Sequence, residues 1–286
     1  MRLAGKTIVV TGGSSGLGRA MSIAFAREGA DVVIGDIRET PREGGTRTDR
    51  LIAERGGSAV YVEADTSRSD DIGRLVSAAV ERGGRLDVLV NNAIVAGRHS
   101  KGLLETDEAD WDAIMAVGCR GVFLCCKRAV RQMLTQEAVG EVRGRIINIS
   151  SQHGMVGTPG HVAYCAAKGA VVNLTRQLAV DFARRGIMVN AIAPGKILTH
   201  TSGRAGYGRD SRILAFADAV PAAGGAGRRR ASGDLDGLRR VHLRERHQRA
   251  RRRRVDGVLG AFLERRTELP SGSNRGRVRQ PGPGGH

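Results

Sequence analysis

A phenol and an amine stand four residues apart in the run Tyr164-Cys-Ala-Ala-Lys168. On a helix, positions four apart share one face, one above the other. An ammonium so placed favours the phenolate, and the spacing predicts a Tyr164 pKa below its ordinary value of about 10. A phenol tuned downward can take a proton from an alcohol or give one to a carbonyl near neutral pH. The plain alternative is a surface Tyr and a surface Lys at a spacing that recurs by chance. The elements that would have to hold the pair decide between these readings.

The first of them is Lys6-Thr-Ile-Val-Val-Thr11, a short apolar run suited to a buried parallel strand. Thr11-Gly-Gly-Ser-Ser-Gly-Leu-Gly18 follows, and then a helical pattern from Arg19. Strand, glycine turn and helix in that order can hold a dinucleotide. Gly12 permits the tight turn, Gly16 lets the backbone approach a pyrophosphate, and Gly18 lets helix and strand pack closely. Ser14, Ser15 and Leu17 lie between these glycines and line the same turn. The alternative is any tight βα turn.

A second strand, Asp31-Val-Val-Ile-Gly-Asp36, ends in an acid about 20 residues beyond the glycines, where a carboxylate can accept both hydroxyls of an adenosine ribose. Asp36 would repel a 2′-phosphate and so favours NAD over NADP. Arg38 is a counter-signal, since a nearby Arg could accommodate that phosphate. A third strand, Ser58–Asp65, closes on Asp65-Thr66, which could meet an adenine edge or cap the next helix. That helix is expected over about Arg68 to Arg82. Leu86–Asn91 reads as a fourth strand running into Asn91-Asn92-Ala93-Ile94. Thr106 and Asp107 would cap a long helical region from Trp111 to about Met133. Arg145–Ser150 is a fifth strand, followed by Ser151 and the Tyr164 helix. A sixth strand from Ile187 leads into Ala193-Pro194-Gly195-Lys-Ile197-Leu-Thr199. Six apolar runs alternating with helices predict an α/β fold with a doubly wound parallel sheet.

In this order the motifs resemble the short-chain dehydrogenase/reductase family, a Rossmann fold that binds NAD(P). The resemblance runs from Leu3 to about Thr199, which we take as the dehydrogenase domain, residues 1–199. It implies an oxidoreductase acting on a small-molecule secondary alcohol or ketone. Tyr164 would be the acid/base, and Lys168 would bind the nicotinamide ribose and lower the Tyr164 pKa. Ser151 would stabilise charge on the substrate oxygen; it is preferred to Ser150 because it lies thirteen residues before the Tyr, as in the family. Asn91 and Ala93 would lie beside the adenine ribose. Pro194, Gly195, Ile197 and Thr199 would lie near the nicotinamide. The resemblance also marks two departures. Ile94 stands where the family has Gly, and Ile does not readily adopt positive φ. Gly118 stands where the family has an Asn that helps hold a water in a proton relay, so reduced turnover is expected. His153, His161, His99 and Arg98 could contact substrate or serve as loop and cap residues; no metal-ligand spacing such as H-x-x-x-H is present.

Composition bounds the rest. At 286 residues with 3% aromatics, the core must be aliphatic. Cys119, Cys125, Cys126 and Cys165 form no C-x-x-C pair and read as reduced core thiols of a cytoplasmic protein. Neither a signal peptide nor a membrane-spanning apolar run is apparent. The formal charge of +17 is uneven. Residues 200–286 carry 20 Arg and 8 Asp plus Glu, leaving 26 basic against 21 acidic residues before them. Residues 200–220 fit a substrate loop. Residues 221–286, rich in Arg and Gly, lack core periodicity and read as sequence from a shifted frame or as a disordered tail. If so, the family's last strand is missing; if that strand is present, a homo-oligomer is expected. A basic tail that binds nucleic acid is the rival reading. Scattered Arg residues, with only Phe262 available for stacking, argue against it.

Overall fold

The computed structural model describes residues 1–95 and 101–195. Arg98, His99, Ile197, Thr199, the substrate loop and the basic tail lie outside the described residues.

Six short runs rich in Val and Ile form one parallel sheet: β1 (Thr7–Thr11), β2 (Asp31–Asp36), β3 (Ser58–Glu63), β4 (Val88–Asn91), β5 (Gly144–Ile149) and β6 (Ile187–Ile192). Their order is β3-β2-β1-β4-β5-β6. Chain order reverses between β1 and β4, and in such a sheet the crevice at the carboxyl ends of these strands is where ligands bind. Every residue of β1 and β4 is buried, as expected of central strands covered on both faces. Helices α1 (Gly16–Arg27), α2 (Thr48–Glu54), α3 (Ser69–Gly83), α4 (Glu108–Met115), α5 (Val122–Leu134) and α6 (Val162–Phe182) cover the sheet. One apolar cluster joins Val9, Leu89 and Ile146 of the sheet to Leu75 and Val76 of α3, Val130 and Met133 of α5, and Val171 of α6.

Two departures from the sequence reading are local. The fourth strand is bounded at Val88, although the Asp87 backbone still donates to the Thr7 carbonyl at 3.0 Å and accepts from the Arg145 amide at 2.8 Å, while its carboxylate accepts from the Thr7 amide at 3.1 Å and from Arg85 Nε at 3.0 Å. The long helical region is interrupted by a π-helical turn, Ala116–Gly121, between α4 and α5. Gly121 sits there because the turn presses on β3's outgoing loop; a Cβ would lie 3.0 Å from the Thr66 carbonyl oxygen. Asp107 does cap α4, accepting from the Asp110 amide at 2.7 Å. The thiols also divide. Cys125 and Cys126 are buried, whereas Cys119 and Cys165 keep part of their surface exposed, Cys119 packing at the edge of the apolar cluster of Ile114, Ala163 and Ala167. Burial pushes the Cys126 thiol up to about 12.

A polar chain crosses the apolar interior. Asn91 Nδ2 donates to Asn148 Oδ1 at 2.8 Å and to Cys126 Sγ at 3.3 Å. Asn148 Nδ2 donates to Thr175 Oγ1 at 2.9 Å, and Thr175 donates to the Val171 carbonyl at 2.7 Å. β4, β5, α5 and α6 are joined through these side chains.

Candidate active site

The glycine turn is stitched to the end of β4. Thr11 Oγ1 donates to the Val90 carbonyl at 3.3 Å and accepts from the amides of Asn92 and Ala93 at 3.0 and 3.1 Å. Asn92 Nδ2 donates to the carbonyls of Thr11 and Gly12 at 3.0 and 3.1 Å. Sequence reasoning assigned no role to Thr11 or Asn92, although both lie inside the motifs it read. Gly12 has φ +64°, and a Cβ on it would come within 2.9 Å of Ala93 Cα. Gly16 has φ +52° and opens α1. Gly18 needs its missing side chain for space: a Cβ would collide with the Gly12 carbonyl oxygen and lie 2.6 Å from Asn92 Nδ2. The Ser14 hydroxyl is buried in this turn and meets no hydrogen-bond partner among the described residues. Leu17 follows Gly16 in the first turn of α1 and remains partly exposed.

Asp36 lies across the turn from β1. Its carboxylate accepts from the Ser14 amide at 3.1 Å and the Arg38 amide at 3.3 Å. Burial raises its pKa, while these amides and the charge of Arg42 pull it down. Asp65 organises its own turn, accepting from the amide and hydroxyl of Ser67 at 2.8 and 2.7 Å. It does not cap α3, whose N-cap position is Arg68. Thr66 is buried beneath the π-helical turn. The Asn91 side chain spends its amide in the core, and its Oδ1 is buried without a partner among the described residues. Ala93 is placed by the hydrogen bond its amide donates to Thr11 Oγ1. Ile94 leaves 43% of its surface exposed, so its bulk is carried outward.

The second half of the site is built on β5 and α6. Ser151 follows β5 and is buried; its Oγ accepts from the His153 amide at 3.2 Å, and its hydroxyl acts on the Tyr164 phenol to lower its pKa. Ser150 has a different task, donating from Oγ to the Lys168 carbonyl at 3.0 Å. Pro194 lies against this segment through the Gln152 amide, 3.1 Å from its carbonyl, and Gly195 is beside the Gln152 side chain. Lys168 is only 4% exposed, and its Nζ donates to the Ile149 carbonyl at 2.7 Å.

The expected fall in the Tyr164 pKa is overturned. Burial raises it, and the Ser151 hydroxyl pulls only partly the other way. The reason is where Lys168 points. Its Nζ is drawn toward β5 and lies 5.8 Å from the centre of the Tyr164 ring. Burial also pulls Lys168 down to about 8, so the ammonium is itself disfavoured.

His153 and His161 both stand at the phenol. Their ring centroids are 6.2 and 6.4 Å from that of Tyr164 and 5.9 Å from each other. The pKa of His153 is lowered, by burial first and then by His161. Among the described residues, no group of three or more His, Cys, Asp or Glu could hold a metal ion, and no helix is long and apolar enough to cross a membrane.

The residues of the glycine turn fit a dinucleotide. Gly12 and Gly18 form a cradle that side chains would fill, and the orphaned Ser14 hydroxyl lies in it. The Ser151, Tyr164 and Lys168 group fits proton transfer at a substrate oxygen.

Comparison with known proteins agrees with this chemistry. Residues 6–208 match the family model described as short chain dehydrogenase. A 2-(S)-hydroxypropyl-CoM dehydrogenase of Xanthobacter autotrophicus is 40% identical over 210 residues, covering 73% of this chain and 78% of the relative. A 3-oxoacyl-[acyl-carrier-protein] reductase of Synechocystis is 38% identical, covering 69% and 76%. A 3beta-hydroxysteroid dehydrogenase of Eggerthella lenta is 41% identical, covering 69% and 72%.

Proposed function

The chain belongs to the short-chain dehydrogenase family, and from that premise we propose that it moves a hydride between NAD(H) and a secondary alcohol or ketone, with Tyr164 as the acid/base. It is an oxidoreductase acting on CH–OH groups. The observation that carries the finer reading is the grouping of buried Ser151, Tyr164 and buried Lys168, whose Nζ lies 5.8 Å from the centre of the Tyr164 ring. When bound, the nicotinamide supplies or accepts the hydride. Ser151 and Tyr164 would hold the substrate oxygen, with the phenolic oxygen giving or taking the proton and Ser151 stabilising developing charge. Lys168 would turn from the Ile149 carbonyl to the nicotinamide ribose. Gly12, Gly16 and Gly18 would seat the diphosphate. Asp36 supports NAD over NADP, because its carboxylate stands at the end of β2 where a 2′-phosphate would meet like charge. The free thiols support a reducing, cytoplasmic setting.

The test is a fluorescence titration with NADH and NADPH, followed by a panel of secondary alcohols. NADH should bind at least about tenfold more tightly, the order of a single well-placed charge. Failure of both to bind overturns the reading.

Gly118 supports a second reading, an impaired family member that retains its cofactor. It is buried in the π-helical turn, and a Cβ there would lie 3.2 Å from that of Ala167, next to Lys168. Gly118→Asn should raise kcat, with a stability cost of about 1 kcal/mol from crowding Ala167. Gly118→Ala should bring the crowding without the gain. An unchanged or lower kcat in the Asn variant would show that the side chain missing here has no part in turnover.

A further inference from the structure

We propose that Glu43 sets the affinity of the chain for its dinucleotide by holding its carboxylate on the backbone amide that the cofactor's diphosphate must reach. The proposal rests on the dinucleotide reading above. Glu43 Oε1 accepts from the Gly16 amide at 2.9 Å, at the first residue of α1. A helix start attracts an anion, because its first amides lack helical partners and the helix dipole is positive there. The first turn of α1 contains no acidic residue, and Ser15 at its N-cap makes no side-chain cap bond. The negative charge comes instead from a residue 27 positions away.

The segment that carries it is fastened to the same turn. The Arg42 amide donates to Ser15 Oγ at 2.8 Å. Thr48 Oγ1 donates to the Ser14 carbonyl at 3.0 Å and accepts from Arg19 at 2.8 Å. Pro41 is buried, and Arg47 pairs with Glu39 and Asp49. The orphaned Ser14 hydroxyl is the independent sign that this turn is completed by another group. A diphosphate and a carboxylate cannot share the Gly16 amide. Displacing Glu43 together with Arg42 would free two groups at once, the Gly16 amide and the Ser15 hydroxyl. Cofactor binding therefore works against an interaction the chain already makes.

The experiment compares the full chain with Glu43→Ala, Glu43→Gln and the exposed control Glu54→Gln. NADH, ADP and adenosine are titrated into each by calorimetry. Glu43→Ala should bind NADH and ADP about tenfold more tightly and Glu43→Gln about threefold, the scale of one charge-assisted hydrogen bond. Adenosine, which has no phosphate, should bind all four equally. Unchanged or weaker binding of NADH and ADP by the Glu43 variants overturns the proposal. So does an equal gain for adenosine or for Glu54→Gln. If no chain binds NADH or ADP, wild type included, the dinucleotide reading itself fails and takes this proposal with it.

Discussion

Tyr164→Phe should lower kcat/KM by about 10²- to 10⁴-fold, the range associated with loss of a positioned acid or base, while NADH affinity stays within about twofold. Phe keeps the ring that packs edge-on against His153 and His161, so the fold and the aromatic cluster survive. What it removes is the phenolic hydroxyl, on which the Ser151 hydroxyl acts. The pH dependence of the wild type provides a second check. Burial raises the Tyr164 pKa, so the group is a phenol through the neutral range. Ketone reduction needs that phenol and should be flat through neutral pH, then fall on the alkaline side. Alcohol oxidation needs the phenolate and should rise as pH increases. Steady-state kinetics in both directions would test this. Equal turnover by the Phe variant, or an alcohol oxidation that falls with rising pH, would remove Tyr164 from its role.

Gly18→Ala should destabilise the chain by about 3 kcal/mol or more and weaken NADH binding at least about tenfold. The added methyl meets backbone: it collides with the Gly12 carbonyl oxygen, and Asn92 Nδ2 stands 2.6 Å away. A flexible side chain could swing aside, but the Gly12 carbonyl cannot. It accepts from Asn92, and Gly12 already occupies a left-handed conformation. The clash therefore moves the whole diphosphate turn. Gly73→Ala, in α3, is the matched control. Its Cβ would meet nothing within 4 Å, and it should stabilise by about 0.5–1 kcal/mol through helix propensity alone. Urea unfolding of both variants separates the cases, and a Gly18→Ala chain as stable as wild type would contradict the packing argument.

The sheet was legible because buried parallel strands need β-branched, apolar runs, and glycine and proline punctuate them. β1, β2 and β6 fall where those runs lie. The π-helical turn was not legible, since one extra residue in a helical turn hardly disturbs the apolar pattern over Trp111 to Met133. At the site, residue types could be read but directions could not. Spacing places Lys168 on the face of Tyr164, yet only the packing shows its amine drawn to the Ile149 carbonyl. Ser151 was distinguishable from Ser150 by its distance to Tyr164, and the two hydroxyls do differ in partner. For Asn91 the motif implied a place beside the adenine ribose, and what could not be read was that its side-chain amide is tied into the core. Glu43 was invisible, because it lies in a polar loop without periodicity and its partner is a backbone amide far away in sequence.

The polar chain through Asn148 and Thr175 has a consequence for how α6 can sit. Apolar packing alone tolerates small rotations and slips of a helix over a sheet. A slip of one residue turns every side chain by about 100°. Here it would carry Thr175 away from Asn148 and strand a buried amide without a partner, which costs about 1–3 kcal/mol. The helix that carries Tyr164 and Lys168 is thus indexed to β5 like a gear held by a pin. Its setting is one of discrete notches, and the phenol's position relative to Ser151 is chosen by a contact buried two helical turns beyond Lys168.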